Sequence, residues 1–190
     1  MSAPQASLEI LEHASPQYPG RTTHNASTAD FTAAFAVDFN SAGERLTKKA
    51  AGQRYIALDM LALEPVDAAR RLFSVLRKRD ARVLNVAGNA ITTFMKAGYN
   101  QAGVNVYVFD VLELVHRHWG LHKVISGGQT GADIAGIIAA HRLGVDATAL
   151  LPKGFLQRNE RGQDVHRSAQ DIAAEVLVAS AVLRAPARAA

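Results

Sequence analysis

Short apolar runs that alternate with longer amphipathic stretches are the feature that most limits how this chain can fold. The runs are rich in Val, Ile, Leu and Ala and are bounded by Gly, Asn or Pro. Runs of this kind predict buried β-strands. The predicted strands are residues 31–39, Tyr55–Asp59, residues 82–87, Lys123–Ser126 and residues 147–151.

The stretches between these runs place apolar residues three and four positions apart, which is the spacing of one helix face. The predicted helices are residues 44–51, 66–79, 104–119, Ala132–Leu143 and residues 164–179. Near-continuous apolar strands separated by helices predict a mainly parallel sheet with helices on both faces, a doubly wound α/β fold. In such folds ligands bind beyond the carboxyl ends of the strands.

Composition narrows the classes of protein and of ligand. With 190 residues, 48% hydrophobic and 20% charged, the chain is typical of one compact domain or two very small ones. Cysteine is absent, which excludes a disulfide, a thiolate metal site and a cysteine nucleophile. The formal charge of +4 comes from basic residues spread among acidic ones, and only 6% of residues are aromatic. We therefore expect a small anionic ligand rather than nucleic acid.

The two ends of the chain lack sustained apolar periodicity. We therefore predict loose tails over residues 1–17 and 184–190 and a single domain over residues 18–183. No basic segment followed by an apolar run opens the chain, and no apolar stretch reaches the roughly 18 residues that cross a bilayer. We expect a cytoplasmic protein that does not contact a membrane.

The segment Lys123-Val-Ile-Ser-Gly-Gly-Gln-Thr-Gly-Ala-Asp133 is the strongest motif, because a predicted strand runs through three glycines into a predicted helix. Glycines allow close approach to the backbone, and unpaired amides at a helix start favour a phosphate. We predict an anion site here rather than a turn that only packs, so that Gly128→Val should abolish binding and largely preserve the fold. The predicted site residues are Ser126, Gly127, Gly128, Gln129, Thr130 and Gly131.

Two familiar phosphate-binding patterns are missing from the sequence. The chain has neither the Gly-x-x-x-x-Gly-Lys-Ser/Thr of P-loop ATPases nor the Gly-x-Gly-x-x-Gly of dinucleotide dehydrogenases. Asp133 falls in the first turn of the helix after the motif. There it either complements the helix dipole or accepts hydrogen bonds from a ribose or a base.

Three further turns follow predicted strands and should adjoin this motif at the carboxyl edge of the sheet. They contain Asn40, Ser41 and Gly43, then Gly88 and Asn89, then Lys153 and Gly154, with Lys153 as a charge for phosphate. Arg21 and Asn25 precede the first strand, in a segment that is either polar surface or part of the ligand site.

A group of histidines near residue 120 raises the question of a metal site. His116 and His118 are two positions apart and so lie on different sides of a helix, and Gly120 interrupts the next turn before His122. A solvated helix end is favoured over a zinc site, and no metal is predicted.

Together these motifs resemble the molybdenum-carrier family, a branch of the SLOG superfamily that includes the lonely-guy-type nucleotide phosphoribohydrolases. In that family the Gly-Gly-Gln-Thr-Gly segment and a Pro-Lys-Gly turn come first, and an Arg-Thr-x-x-Asn segment and a Leu-Asn-Val-Ala-Gly strand follow. Here residues 21–25 and 84–88 precede residues 126–131 and 152–154. The chain thus resembles a circular permutant of the family, and its order is similar to that of uncharacterised tailed-bacteriophage proteins.

The resemblance implies a Rossmann-like fold that binds a phosphorylated nucleotide or a nucleotide-derived signalling molecule, such as a cyclic ADP-ribose isomer or a cyclic nucleotide. A phage protein of this kind would sequester the signal in the host cytoplasm as a counter-defence. We expect a homo-oligomer and no cofactor beyond the nucleotide-derived ligand.

The alternative function is that of an enzyme, a nucleoside-phosphate N-glycosidase or a related nucleotide hydrolase, with Glu44 or Asp133 as catalytic candidates. The Pro-Gly-Gly-x-Gly-Thr-x-x-Glu motif of the phosphoribohydrolases is degraded here to Asn40-Ser-Ala-Gly-Glu-Arg-Leu-Thr47. This departure argues against phosphoribohydrolase activity, and the shortage of a paired acid and base at a defined spacing favours binding over catalysis. A pterin-cofactor carrier and nucleic-acid binding rank lower.

Overall fold

The computed structural model describes residues 6–185, which form eight strands and seven helices. The strands are Leu8–Glu12 (β1), Phe31–Ala36 (β2), Tyr55–Asp59 (β3), Val83–Gly88 (β4), Lys123–Ser126 (β5), Asp146–Leu151 (β6), Leu156–Arg158 (β7) and Asp164–His166 (β8). The helices are Tyr18–Thr28 (α1), Ala42–Ala51 (α2), Pro65–Arg79 (α3), Ile91–Lys96 (α4), Gln101–Trp119 (α5), Ala132–Leu143 (α6) and Ala169–Val182 (α7).

Six of the strands form one sheet in the order β1-β6-β5-β4-β2-β3, and all five pairings are parallel. β7 and β8 form a separate antiparallel hairpin. One helical layer contains α3, α5, α6 and α7, and α1 packs with α2 on the other side. The predicted doubly wound α/β fold is confirmed.

The two faces of the sheet differ in chemistry, because successive side chains of a strand alternate between them. On β4, Leu84 and Val86 are fully buried, and Gly136 of α6 leaves room for the Val86 side chain. Asn85 lies on the opposite face, where its Nδ2 donates to Thr32 Oγ1 at 3.2 Å. The face under α6 is therefore apolar, whereas the face under α1 and α2 carries polar side chains.

The apolar side is thick enough to enclose a whole helix. Every residue from 132 to 140 in α6 is buried, because α5 and α7 flank α6 above the sheet. A helix that is apolar all round requires cover on all sides. None of the helices within residues 6–185 is long and apolar enough to span a membrane.

The predicted loose tail at the start of the chain is wrong for residues 8–12. These residues form β1, which pairs with β6 from Leu8 beside Ala147 to Glu12 beside Leu151. An edge strand has one strand neighbour, so exposed positions interrupt its apolar pattern and weaken the sequence signal. Residues 1–5 lie outside the described residues.

The predicted loose tail at the end of the chain is wrong for Arg184. Arg184 forms ion pairs with Asp110 and Glu113 of α5. Residues 186–190 lie outside the described residues.

Two predicted boundaries are corrected by local hydrogen bonds. β2 ends at Ala36 rather than at residue 39, because the amides of Val37 and Asp38 both donate to Asn89 Oδ1 at 2.9 Å and leave the sheet. The helix predicted over residues 164–179 begins at Ala169, because Ser168 Oγ caps it by accepting from an amide of the first turn. Residues Asp164–His166 form β8 instead.

Helix α6 has its predicted bounds, Ala132–Leu143, whereas other helices are longer than predicted or were not predicted. α5 begins at Gln101 rather than at residue 104, because Asn100 caps it through a 2.8 Å bond from the Gly103 amide. α1 and α4 were not predicted as helices. α1 has a strongly polar sequence, yet it buries Arg21 and Asn25 at the carboxyl edge of the sheet.

Candidate functional site

A cavity of about 490 Å³ opens on the polar face of the sheet at its carboxyl edge. Helices α1 and α2 form its walls, and Asn85 and Ala87 of β4 belong to its floor. Arg158 of the β7–β8 hairpin lies at its rim and is exposed. Many of the predicted site residues line this cavity, namely Arg21, Asn25, Ser41, Gly43, Glu44, Gly88, Asn89, Gly127, Gln129, Thr130 and Asp133.

Lys153 and Gly154 do not line this cavity. They follow β6, whose outer neighbour is β1, and their backbone amides bond to that side of the molecule. The Lys153 amide donates to Ser15 O at 3.0 Å, and the Gly154 amide donates to Glu12 Oε2 at 2.7 Å. The predicted phosphate contact from Lys153 is therefore not supported by its position.

Four further predicted residues do not line the cavity, namely Asn40, Ser126, Gly128 and Gly131. Ser126 is fully buried, and its hydroxyl donates to Val86 O at 2.7 Å. Gly128 has a φ of +66°, and a Cβ there would lie 2.8 Å from Leu151 Cδ1. Gly128→Val should therefore destabilise the fold, contrary to the expectation from the sequence.

Three backbone amides at the start of α6 are bonded within the protein, whereas the Asp133 amide donates to no acceptor among residues 6–185. The Gly131 amide donates to Gln101 Oε1 at 2.7 Å, and the Ala132 amide donates to Asn89 O at 3.1 Å. The Ile134 amide donates to Gln129 O at 2.9 Å. The expectation of unpaired amides at this helix start is wrong for these three residues.

The start of α2 is open by comparison. Ser41 Oγ accepts from the Glu44 amide at 3.2 Å and caps the helix. The amides of Ala42 and Gly43 donate to no acceptor among residues 6–185. A Cβ placed on Gly43 would meet nothing within 4 Å, so this helix start faces open space at the mouth of the cavity.

Arg21 and Asp133 form a buried ion pair on one side of the cavity. Arg21 Nη1 lies 2.9 Å from Asp133 Oδ2, and each side chain is at most a tenth exposed. A Cβ on Gly127 would lie 1.2 Å from Arg21 Nη1, so the glycine is required to let the guanidinium reach Asp133. Burial raises the pKa of Asp133, whereas Arg21 and the amide of Gln129 oppose that change.

Glu44 lies in the first turn of α2 and is 3% exposed. Its Oε2 is buried and has no hydrogen-bond partner among the described residues. Burial raises the pKa of Glu44 to about 8, and the negative charges of Asp133 and Asp38 add to this effect. The cavity therefore contains one carboxyl group that is paired with a cation and one that is not.

Unsatisfied polar atoms are concentrated at this cavity. Within the part of the chain that the structure describes, five buried side-chain polar atoms lack a hydrogen-bond partner. Three of them belong to cavity residues, namely Arg21 Nε, Asn25 Oδ1 and Glu44 Oε2. Buried polar groups in native proteins nearly always find a partner, so this concentration marks the cavity as the candidate site.

Sequence reasoning missed several residues of the lining. They are Tyr18, Thr22, Thr47, Asn85, Thr92, Thr93 and Arg158. Asn85 offered a signal, because it is a polar residue inside an otherwise apolar strand. Arg158 offered no such signal, because the β7–β8 hairpin that carries it to the cavity was not predicted. Its guanidinium lies 5.5 Å from the centre of the Tyr18 ring.

No three His, Asp or Glu side chains within residues 6–185 are grouped so that they could hold a metal ion. The chain matches no known family model and no curated protein sequence.

Proposed function

We propose that this cavity binds a phosphorylated nucleotide or a nucleotide-derived molecule. The observation that carries the proposal is the group of three unpartnered polar atoms, on Arg21, Asn25 and Glu44, around one cavity. Each unsatisfied buried group costs about 1–3 kcal/mol, which a ligand with matching donors and acceptors offsets. The volume of about 490 Å³ lies within the range of small-molecule sites.

The mouth of the cavity suits the anionic part of such a ligand. The open amides of Ala42 and Gly43 lie at the positive end of the α2 dipole. Thr92 and Thr93 also line the cavity and add hydroxyl donors, and Arg158 adds the Nη1 of a guanidinium whose Nε and Nη2 donate to Asp164. The proposed phosphate position is thus the start of α2 rather than the start of α6.

The wider biological assignment rests on the resemblance and stays a prediction. A circularly permuted SLOG-like fold accords with the parallel sheet and with Arg21 lying against the glycine motif. Sequestration of a signalling nucleotide in phage counter-defence follows from that resemblance alone. Self-association is a separate prediction, which analytical ultracentrifugation of the purified protein measures directly.

Calorimetric titration tests the binding proposal. The panel contains the four 5′-nucleoside monophosphates, ADP-ribose, cyclic ADP-ribose isomers and cyclic dinucleotides. At least one should bind, and Gly43→Trp should abolish its binding by filling the mouth of the cavity. Val66→Trp is the matched control, because exposed Val66 holds the same second helical position in α3. Binding that Gly43→Trp leaves unchanged would place the ligand elsewhere, and a panel without any binder would reject the proposal.

A second candidate function is N-glycosidic cleavage of the bound nucleotide. The observation that favours it is that Glu44 and Asp133 line one cavity in different environments, one without a cation and one paired with Arg21. Carboxyl groups in different environments can divide the roles of acid and base. Chromatography of the ligand after incubation with excess protein separates the two functions. Recovery of intact ligand supports sequestration, whereas free base that is lost on Asp133→Asn supports the enzyme.

A further inference from the structure

The inner part of the cavity has charges that cancel one another. Arg21 is the cation of this region, and its Nη1 is bonded to Asp133. The Asn25 and Asn85 side chains are neutral amides that are almost completely buried. Once the Arg21–Asp133 pair is counted as neutral, Glu44 decides whether this region carries a net charge.

The surroundings of Glu44 leave its charged form without compensation. The titratable and charged groups that face it are Asp133 on α6, Asp38 before α2, Tyr55 on β3 and Arg21 on α1. Two of these groups are acids, and Arg21 bonds to Asp133 rather than to Glu44. Because a buried carboxylate without a partner is far more costly than the neutral acid, Glu44 keeps its proton.

We propose that the inner part of the cavity receives the uncharged part of the ligand, its nucleobase or ribose, and that the neutral carboxylic acid of Glu44 donates a hydrogen bond to it. This inference rests on the proposed nucleotide-binding function and adds to it the orientation of the ligand. A carboxylic acid offers one donor together with acceptors, and the amides of Asn25 and Asn85 offer both. The phosphate then points outwards, to the start of α2.

Loss of the Glu44 proton has two consequences for binding. It removes the hydrogen-bond donor that contacts the nucleobase or ribose of the ligand. It also places a second negative charge beside Asp133. Ligand binding should therefore require the proton on Glu44. The affinity for adenosine or cytidine should fall above pH 8 even though these nucleosides carry no charge in that range.

The first experiment uses the protein without ligand and measures unfolding in urea between pH 5 and pH 8. The unfolded chain releases the Glu44 proton near 4.5, whereas the folded protein retains it until about 8. The contribution of the Glu44 proton to the free energy of unfolding is thus complete below pH 4.5 and is lost as the pH rises towards 8. The unfolding constant of the wild type should rise about tenfold per pH unit relative to Glu44→Gln.

Asp67→Asn is the matched control for this experiment. Asp67 holds the same third position in α3, but its side chain is half exposed and pairs with Arg70. This variant should keep the pH dependence of the wild type. If Glu44→Gln also keeps it, Glu44 is charged in the folded protein and the inference is wrong.

The second experiment measures binding at pH 7 and pH 9, with the tighter-binding of the 5′-monophosphates of adenosine and cytidine and its own nucleoside as probes, because uracil and guanine themselves ionise in this range. For the wild type, both affinities should fall about tenfold, because Glu44 loses its proton near 8. For Glu44→Gln, neither affinity should change by more than about twofold, whatever its value at pH 7.

The outcomes separate this inference from the function on which it rests. A fall for the nucleotide but not for the nucleoside would mean that Glu44 repels the phosphate, which would overturn the proposed orientation. Nucleotide binding with equal pH dependence in both proteins would reject the role of Glu44 and leave the binding function standing. Absence of binding across the panel would reject the function itself, and the inference with it.

Discussion

Two helix starts lie at the carboxyl edge of the sheet, and they are used differently. At α6, the amides of Gly131, Ala132 and Ile134 already donate to acceptors inside the protein. At α2, the amides of Ala42 and Gly43 donate to none of the acceptors that the structure describes. The Asp133 amide also lacks an acceptor among the described residues, so the start of α6 is more fully bonded than the start of α2, where both of the first two helical amides are open.

The difference shows that a glycine-rich turn does not by itself mark a phosphate site. Gly127 is required because Arg21 lies against its Cα, and Gly128 is required by its backbone conformation and by Leu151. Both glycines serve the packing of the protein. The motif contributes to the cavity chiefly through Asp133, which holds Arg21 in place.

The largest expected effect comes from breaking the buried ion pair between Arg21 and Asp133 at the start of α6. Arg21→Met leaves Asp133 buried without its cation, which should lower the free energy of unfolding by about 3–5 kcal/mol. Urea unfolding measures this change. Arg70→Met is the control, because it breaks an exposed pair with Asp67 and should cost about 0.5 kcal/mol or less. Equal losses in the two variants would contradict the role given to burial.

A smaller effect should distinguish the glycines of the two helix starts. Gly127→Ala pushes Arg21 away from Asp133 and should cost about 1–3 kcal/mol. Gly43→Ala meets open space in a helical conformation and should stabilise the protein by about 0.5 kcal/mol. Thermal unfolding of the two variants compares them under one condition. If Gly43→Ala proves the more damaging substitution, the description of α2 as the open start is incorrect.

The smallest difference in stability is expected between the variants that remove the side-chain cap of each helix start. Gln101 both donates to and accepts from the Gly131 backbone, so Gln101→Ala should cost about 1–2 kcal/mol and free that amide. Ser41→Ala removes the cap of α2 and should cost about 1 kcal/mol. Amide hydrogen exchange of Gly131 reports the opening, which should be faster in Gln101→Ala and unchanged in Ser41→Ala. Slow exchange at Gly131 in both variants would show that another group closes α6.

The sequence predicts the centre of the fold well, because the central strands are apolar runs between Gly, Asn and Pro. β3 and β5 match their predicted bounds, and β2, β4 and β6 differ only at their ends. The sequence does not predict β1 and α1, because contacts with distant parts of the chain stabilise both elements. β1 is held by its pairing with β6, and α1 has a polar sequence and buries Arg21, Asn25 and Ala26.

The positions of the site residues also depend on long-range contacts that the sequence pattern does not show. The loops after β2, β4 and β5 were predicted to converge, and residues of all three line the cavity. Lys153 was grouped with them because it also follows a strand. Only the strand order, in which β6 lies next to β1, places it elsewhere. The closure of α6 by Gln101 depends on a contact 30 positions away, which local patterns do not reveal.

The pairing of β1 with β6 has a consequence for how the chain folds during synthesis. Ser7 and Asp146, which are hydrogen-bonded at the start of this pairing, are 139 positions apart in the chain. A ribosome that adds about 5–20 residues per second needs on the order of ten seconds to make the segment between them. Throughout that time β1 is available but has no partner strand. Such a non-local contact slows folding, so completion of this sheet edge should be a late event, after the central strands have paired.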